Sequence, residues 1–321
     1  MTQESPPPTI LAHLGRLTDL FVPALQAIAP DARVVTASSP ASASATGEPG
    51  KIDVVVTLGS ESSGLASVLT SETWWIHVLG AGVDGFPIED VGDRLVTCSR
   101  GASAPAIAEF VLATMLAFEK GLPNTWVDGP PKSWGSAKLG GLRGRTVGIV
   151  GLGSIGTEVA RRALAFDMRV MAKRRSRGPS PVPGVEMAVS LEEMASQSDH
   201  LVIAAPATPQ TRHLLNRNTF ASIKKGAHLV NVARGSLIDQ EALLWAIDEG
   251  IVAIASLDVV DPEPLPADHP FYIHPKIRLS PHVSWCAPDS GIRTLEIFGE
   301  NLRRYRAGEP LQGIVDTSAG Y

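Results

Sequence analysis

The chain has 321 residues, of which 44% are apolar and 19% charged, so a sizeable core can be buried, with room for two domains at roughly 150 residues each. Its 28 basic and 33 acidic residues leave a formal net charge of −5, which argues against a general nucleic-acid binder built on a basic stripe. Cys98 and Cys286, the two cysteines, make no disulfide framework and show no metal-ligand spacing.

The opening Met1–Pro8 has no basic region leading into an apolar run, so no secretory signal is expected. No stretch approaches the roughly 18 uninterrupted apolar residues of a membrane span, and the expectation is a cytoplasmic protein with no membrane partner. Short β-branched runs at Thr9–Leu14, Asp53–Leu58, Trp74–Leu79, Thr146–Val150, Arg169–Ala172, Leu201–Ala205, Leu229–Val232 and Ile254–Val259 read as strands. Ser38–Gly50, made of small residues, Pro and Gly, cannot bury a face and reads as a surface loop. Apolar strands separated by helix-length amphipathic segments indicate βαβ units and parallel sheets covered on both faces.

The pattern breaks near Cys98–Ala104 and near Pro281–Pro288. A long helix is expected from about Ser103 to Glu119, with Pro105 tolerated in its first turn, and another over Asp289–Arg306. These breaks predict one domain over 102–286 and a discontinuous one over 1–101 and 287–321.

Within the continuous domain, Thr146–Val150 runs straight into Gly151-Leu152-Gly153-Ser154-Ile155-Gly156, and a helix is expected from Thr157 to about Phe166. Strand, glycine loop and helix together form a dinucleotide-binding signature. Gly151 permits the tight turn, Gly153 lets backbone approach a pyrophosphate, and Gly156 allows close helix–strand packing. Free N–H groups at the helix start favour the phosphates, which makes Ser154 and Ile155 cofactor-binding candidates too.

An NAD site would place a carboxylate roughly 20 residues further on, to accept from the ribose 2′-OH. Here the strand Arg169–Ala172 ends in Lys173-Arg174-Arg175-Ser176-Arg177. A carboxylate would repel a 2′-phosphate, whereas guanidinium groups bind it with charge-assisted bonds. Lys173, Arg174, Arg175 and Ser176 therefore point to NADP(H).

At Leu142–Gly148, Ala205–Arg212, Val230–Gly235, Leu257–Val259, Pro262–Leu265, Leu279–His282 and Gly308–Leu311, the chain resembles the D-isomer-specific 2-hydroxyacid dehydrogenases, and within them the glyoxylate/hydroxypyruvate reductases. The resemblance runs from about Val78 onward and is thin before it. It implies an α/β fold of two doubly wound parallel-sheet domains, a Rossmann cofactor domain and a flavodoxin-like substrate domain with an interdomain cleft. It also implies a homodimer, to whose interface Ala108-Glu109 belong.

The family's catalytic trio falls on Arg234, Glu263 and His282. The residue types suit reduction of a 2-oxo acid. Arg234 supplies a bidentate cation for the substrate, and His282 supplies the proton as hydride arrives. Glu263, beside the imidazole, favours its protonated form. By the same resemblance the N–H groups of Ala81 and Gly82, in Gly80–Asp84, cradle the substrate carboxylate. Asp258 contacts the nicotinamide carboxamide, and Ala205, Pro206 and Ala233 line the cofactor. His269 and His274 read as structural, since neither has a zinc-site partner spacing, and no metal is expected. Two departures stand out. Val283-Ser284-Trp285 follows the histidine where a small-residue pair is common, placing Trp285 at the substrate pocket or in interdomain core, and Ala207 replaces a larger residue.

The function implied is NADPH-dependent reduction of a small 2-oxo acid, glyoxylate or hydroxypyruvate, to the D-2-hydroxy acid. A reductase for a bulkier 2-oxo acid, a dinucleotide-sensing corepressor-like binding protein and a formate- or phosphite-type dehydrogenase are the alternatives.

Overall fold

The computed structural model describes residues 7–317 except 37–50, 60–61, 84 and 177. The expected surface loop Ser38–Gly50, and with it Asp84 and Arg177, lies outside the described residues. The chain divides into two compact units, Met1–Ser103 with Ala287–Tyr321, and Ala104–Cys286.

The first unit is built on a five-stranded parallel sheet. Its elements in chain order are β1 (Thr9–His13), α1 (Thr18–Ile28), β2 (Arg33–Thr36), β3 (Val54–Thr57), α2 (Leu65–Val68), β4 (Trp75–Val78) and β5 (Leu95–Cys98). The spatial order is β2-β1-β3-β4-β5, so the chain reverses direction across the sheet between β1 and β3. Both β3 and β4 are buried along their whole length, as strands covered on two faces must be.

The second unit opens with α3 (Ala104–Lys120) and continues through β6 (Thr146–Val150), α4 (Ser154–Ala165), β7 (Arg169–Lys173), β8 (Val185–Met187), α5 (Leu191–Gln197) and β9 (His200–Ile203). It ends with α6 (Arg217–Ser222), β10 (Ala227–Asn231), α7 (Gln240–Asp248), β11 (Val252–Leu257) and β12 (Ile277–Leu279). The chain then returns to the first unit as α8 (Ser290–Arg306). The seven strands are parallel in the order β12-β11-β10-β9-β6-β7-β8. One apolar cluster joins Leu201, Leu229 and Ala255 to α5, α6 and α7, and another joins Val147, Ile149 and Val230 to α3 and α4. The sheet is therefore covered on both faces.

Two expectations are corrected. The helix after the glycine loop begins at Ser154, not Thr157, because Gly153 serves as its cap and the last glycine of the motif lies inside its first turn. Four strands escaped the sequence reading: β2, β5, β8 and β12. They are the edge strands of the two sheets. An edge strand has a neighbour on one side only, so it can be short and half-exposed, and charged residues such as Arg33, Glu186 and Arg278 interrupt its apolar run.

Candidate active site

β6 lies between β7 and β9 in the larger sheet. The chain leaves β6 in one direction and later crosses to β9 on the other side. Ligands of open α/β sheets bind at this reversal, beyond the carboxyl ends of the strands. The glycine loop occupies that position. Gly151 has φ +97, and a Cβ there would come within 2.7 Å of Ala204 O and of the Ala205 backbone, so the loops after β6 and β9 meet only because the residue is glycine. At Gly156 a Cβ would lie 2.1 Å from Gly151 O, whereas one at Gly153 would meet nothing within 4 Å. The chain is thus packed shut beneath the loop and open above it, at the start of α4, where Ser154 and Ile155 lie.

The basic strand end is only partly committed to the fold. Lys173 Nζ donates to Val189 O, and Arg174 Nη2 donates to Pro179 O at 2.9 Å. Arg174 Nε is buried and has no hydrogen-bond partner. Arg175 and Ser176 are exposed. A buried guanidinium nitrogen left unpaired is costly, and an anion beside it would relieve that cost, so these residues fit a phosphate-bearing cofactor.

The three catalytic candidates follow three loops of the same sheet. Arg234 comes after β10 in a turn held by Asn231, whose Oδ1 accepts from Ala233 N–H at 3.1 Å and whose Nδ2 donates to Arg234 O at 2.9 Å. Gly235 follows, and a Cβ there would lie 1.9 Å from the Val260 carbonyl carbon, so this turn packs directly on the segment leading to Glu263. Glu263 Oε1 accepts from Val260 N–H at 3.1 Å, and its Oε2 lies 2.8 Å from His282 Nδ1. With Nδ1–H donated to the carboxylate, Nε2 is left as the ring atom that can serve a ligand. The structure brings Glu263 and His282 together. Arg234 lies in the same unit, half-buried, with Nη1 donating to Ala233 O at 2.6 Å.

His282 itself sits at φ +54, a left-handed conformation uncommon outside glycine. Its N–H is shared between Asp258 O at 2.9 Å and Ser280 O at 3.0 Å. Asp258 is 2% exposed and spends both carboxylate oxygens on the same turn. Oδ1 accepts from Ser280 Oγ–H at 2.5 Å and from Val283 N–H at 3.0 Å, while Oδ2 accepts from Ser284 N–H at 2.9 Å. Sequence reasoning assigned Asp258 to the nicotinamide and missed this clamp, together with Asn231 and Ser280. Their signal was only their place in the quoted motifs.

Of the remaining candidates, Pro206 O accepts from Thr211 Oγ1–H at 2.8 Å, Ala205 is partly buried against the core, and Ala233 is buried. Ala81 and Gly82 follow β4 in the first unit, where Ala81 O accepts from Cys98 Sγ at 3.7 Å. His269 and His274 each accept from a backbone N–H two residues on, those of Phe271 and Lys276. Among the described residues no group of three or more His, Cys, Asp or Glu is placed to hold a metal ion, and no helix is long and apolar enough to cross a membrane. A cavity of about 270 Å³ lined by Glu119, Arg145, Asp199 and Ala227 opens where β6, β9 and β10 begin, on the edge of the sheet opposite the catalytic candidates.

Residues 112–284 match the family model of the D-isomer specific 2-hydroxyacid dehydrogenase NAD binding domain, and the chain belongs to that family of oxidoreductases. It is 30% identical over 275 residues to glyoxylate/hydroxypyruvate reductase A of Serratia proteamaculans, covering 85% of this chain and 82% of that one. It is 31% identical over 249 residues to D-3-phosphoglycerate dehydrogenase of Methanocaldococcus jannaschii, covering 74% of this chain but spanning only 46% of that protein's length. Among solved structures, the NADPH-dependent glyoxylate/hydroxypyruvate reductase of Sinorhizobium meliloti, in complex with NADP and sulfate, superposes with a TM-score of 0.79 at 25% identity, over 98% of this chain and 100% of that one.

Proposed function

We propose that the protein reduces a small 2-oxo acid, glyoxylate or hydroxypyruvate, to the D-2-hydroxy acid with NADPH. The observation that carries this reading is the pair formed by His282 Nδ1 and Glu263 Oε2 at 2.8 Å, on the sheet whose glycine loop is open for a dinucleotide. Gly151, Gly153, Ser154, Ile155 and Gly156 would hold the pyrophosphate, and Arg174, Arg175 and Ser176 the 2′-phosphate, with Ala205, Pro206 and Ala233 beside the cofactor. NADPH, when bound, supplies the hydride.

The chain's own groups do the rest. Arg234 binds and orients the substrate carboxylate and carbonyl. Glu263 accepts from Nδ1–H, which fixes the ring and leaves His282 holding a proton at Nε2. That proton passes to the carbonyl oxygen as negative charge develops there. The Serratia and Sinorhizobium relatives, both named for glyoxylate and hydroxypyruvate, support the choice of acid. The same reading includes a homodimer, supported by the exposed Trp126 and Trp134 on the segment that follows α3.

Loss of reduced-nicotinamide absorbance, followed with glyoxylate, hydroxypyruvate and larger 2-oxo acids, each with NADPH and with NADH, tests the reading. Consumption of NADPH with one of the two small acids is expected. NADPH binding without turnover of any acid would instead favour a sensing role. In His282→Gln, kcat should fall by about 10²- to 10⁴-fold, the contribution of a positioned proton donor. NADPH binding, read by nicotinamide fluorescence, should persist, and undiminished turnover would remove His282 from the mechanism.

A further inference from the structure

Trp285 is three residues past His282 and 47% exposed, an unusual place for an indole that only fills space. Its Nε1–H donates to His282 O at 2.8 Å. His282 is the one non-glycine residue of this turn with positive φ, so its backbone holds that conformation only if its surroundings impose it. The restraints can be named. The N–H of His282 is taken by Asp258 O and Ser280 O, the flanking N–H groups of Val283 and Ser284 by the Asp258 carboxylate, and the carbonyl by Trp285. Every restraint except the last comes from Asp258, after β11, or from Ser280, after β12. The indole closes the turn from its far end, where the Cys286 N–H also donates to Val283 O at 2.9 Å.

We propose that Trp285 is a positioning residue for the proton donor, acting through the His282 carbonyl to hold the imidazole against Glu263. The inference rests on the reading of His282 as that donor. It assigns Trp285 a task distinct from forming a wall of the substrate pocket. The indole and the Asp258 carboxylate hold opposite edges of one peptide plane, that of the His282 C=O and the Val283 N–H. Its orientation sets the direction of the His282 Cα–Cβ bond, and so helps bring Nδ1 to Glu263 Oε2. Loss of the donor should leave substrate and cofactor contacts in place and misdirect only the ring.

The test compares wild type with Trp285→Phe, and with a variant carrying β-(benzothienyl)alanine at position 285, which keeps the two-ring shape and removes only the N–H. In both, kcat should fall about 10- to 100-fold, the cost of a small misplacement of a reacting group, while KM for the 2-oxo acid and for NADPH stays within about twofold. The ¹⁵N resonance of His282 Nδ1, assigned by its loss in His282→Gln, should move away from its carboxylate-bonded position. A changed KM for the acid with unchanged kcat would make Trp285 part of the pocket wall and overturn the proposal. Unchanged kinetics in the benzothienyl variant would overturn it as well. If wild type reduces no 2-oxo acid, the functional reading fails by itself. The Nδ1 resonance then still decides the positioning claim, and an unmoved signal refutes it.

Discussion

Arg174 concentrates the question of cofactor choice in one side chain. Its Nη2 is used by Pro179 O while its Nε is buried without a partner, so one donor supports the loop and another remains for an acceptor. A phosphate oxygen at Nε would make a charge-assisted bond there. In Arg174→Asp, the ratio of kcat/KM for NADPH to that for NADH should fall at least tenfold, since the new carboxylate repels a 2′-phosphate and accepts from a 2′-OH. An unchanged ratio would show that the basic strand end is only a solvated edge. Lys173 is the poorer candidate of the cluster, because its ammonium is already engaged by Val189 O.

At the scale of elements, a chain of hydrogen bonds ties β4, β5 and α8 together in the first unit. Trp75 Nε1–H donates to Thr97 Oγ1 at 2.8 Å, and His77 contacts Thr97 Oγ1 at 2.7 Å and Ser99 Oγ at 3.0 Å. Ser99 Oγ–H donates to Thr294 O at 3.0 Å. A neutral ring satisfies every group in the chain: Thr97 O–H donates to Nδ1, and the opposite ring nitrogen donates to Ser99. Burial agrees, pushing the His77 pKa from 6.5 down to about 3. His200 on β9 is likewise depressed to about 4 by burial. The sign of the linkage follows. Between these values and about pH 6.5 the unfolded chain takes up protons that the folded chain refuses. Stability is therefore full above pH 6.5 and declines as pH falls through 5, by up to about 1.4 kcal/mol per pH unit for each histidine. Urea midpoints at pH 7.5 and 5 should differ less in His77→Gln than in wild type. An equal pH dependence would exclude His77 as a contributor.

For the molecule as a whole, two expectations concern assembly and division of labour. Trp126 and Trp134 are 73% and 83% exposed, and two exposed indoles on one short segment suit the surface of the proposed homodimer. Sedimentation equilibrium should give a dimer, and Trp126→Asp combined with Trp134→Asp should shift it to monomer. A monomeric wild type would refute the homodimer. The seven-stranded unit carries the glycine loop, Arg234, Glu263 and His282 on one edge of one sheet, so the proposed function assigns both cofactor handling and proton transfer to that unit.

The interior strands, the glycine loop, the missing acidic residue after β7 and the motifs containing Arg234, Glu263 and His282 are legible in the amino-acid sequence. Each is a local pattern: a buried strand needs an unbroken apolar run, and a phosphate turn needs glycines at set intervals. The edge strands were not legible, because one-sided pairing relaxes the demand for such a run. Nor were the clamp from Asp258 to Ser284, 26 residues apart, and the closing bond from Trp285. The sequence marks Asp258 and Trp285 as candidates for cofactor and pocket, but not as hydrogen-bond partners of the His282 turn. Only the path of the chain from β11 through β12 brings that carboxylate under the turn, because a hydrogen bond between distant residues depends on the trajectory between them. The indole meets the His282 carbonyl three residues away only because the turn takes the positive φ at His282.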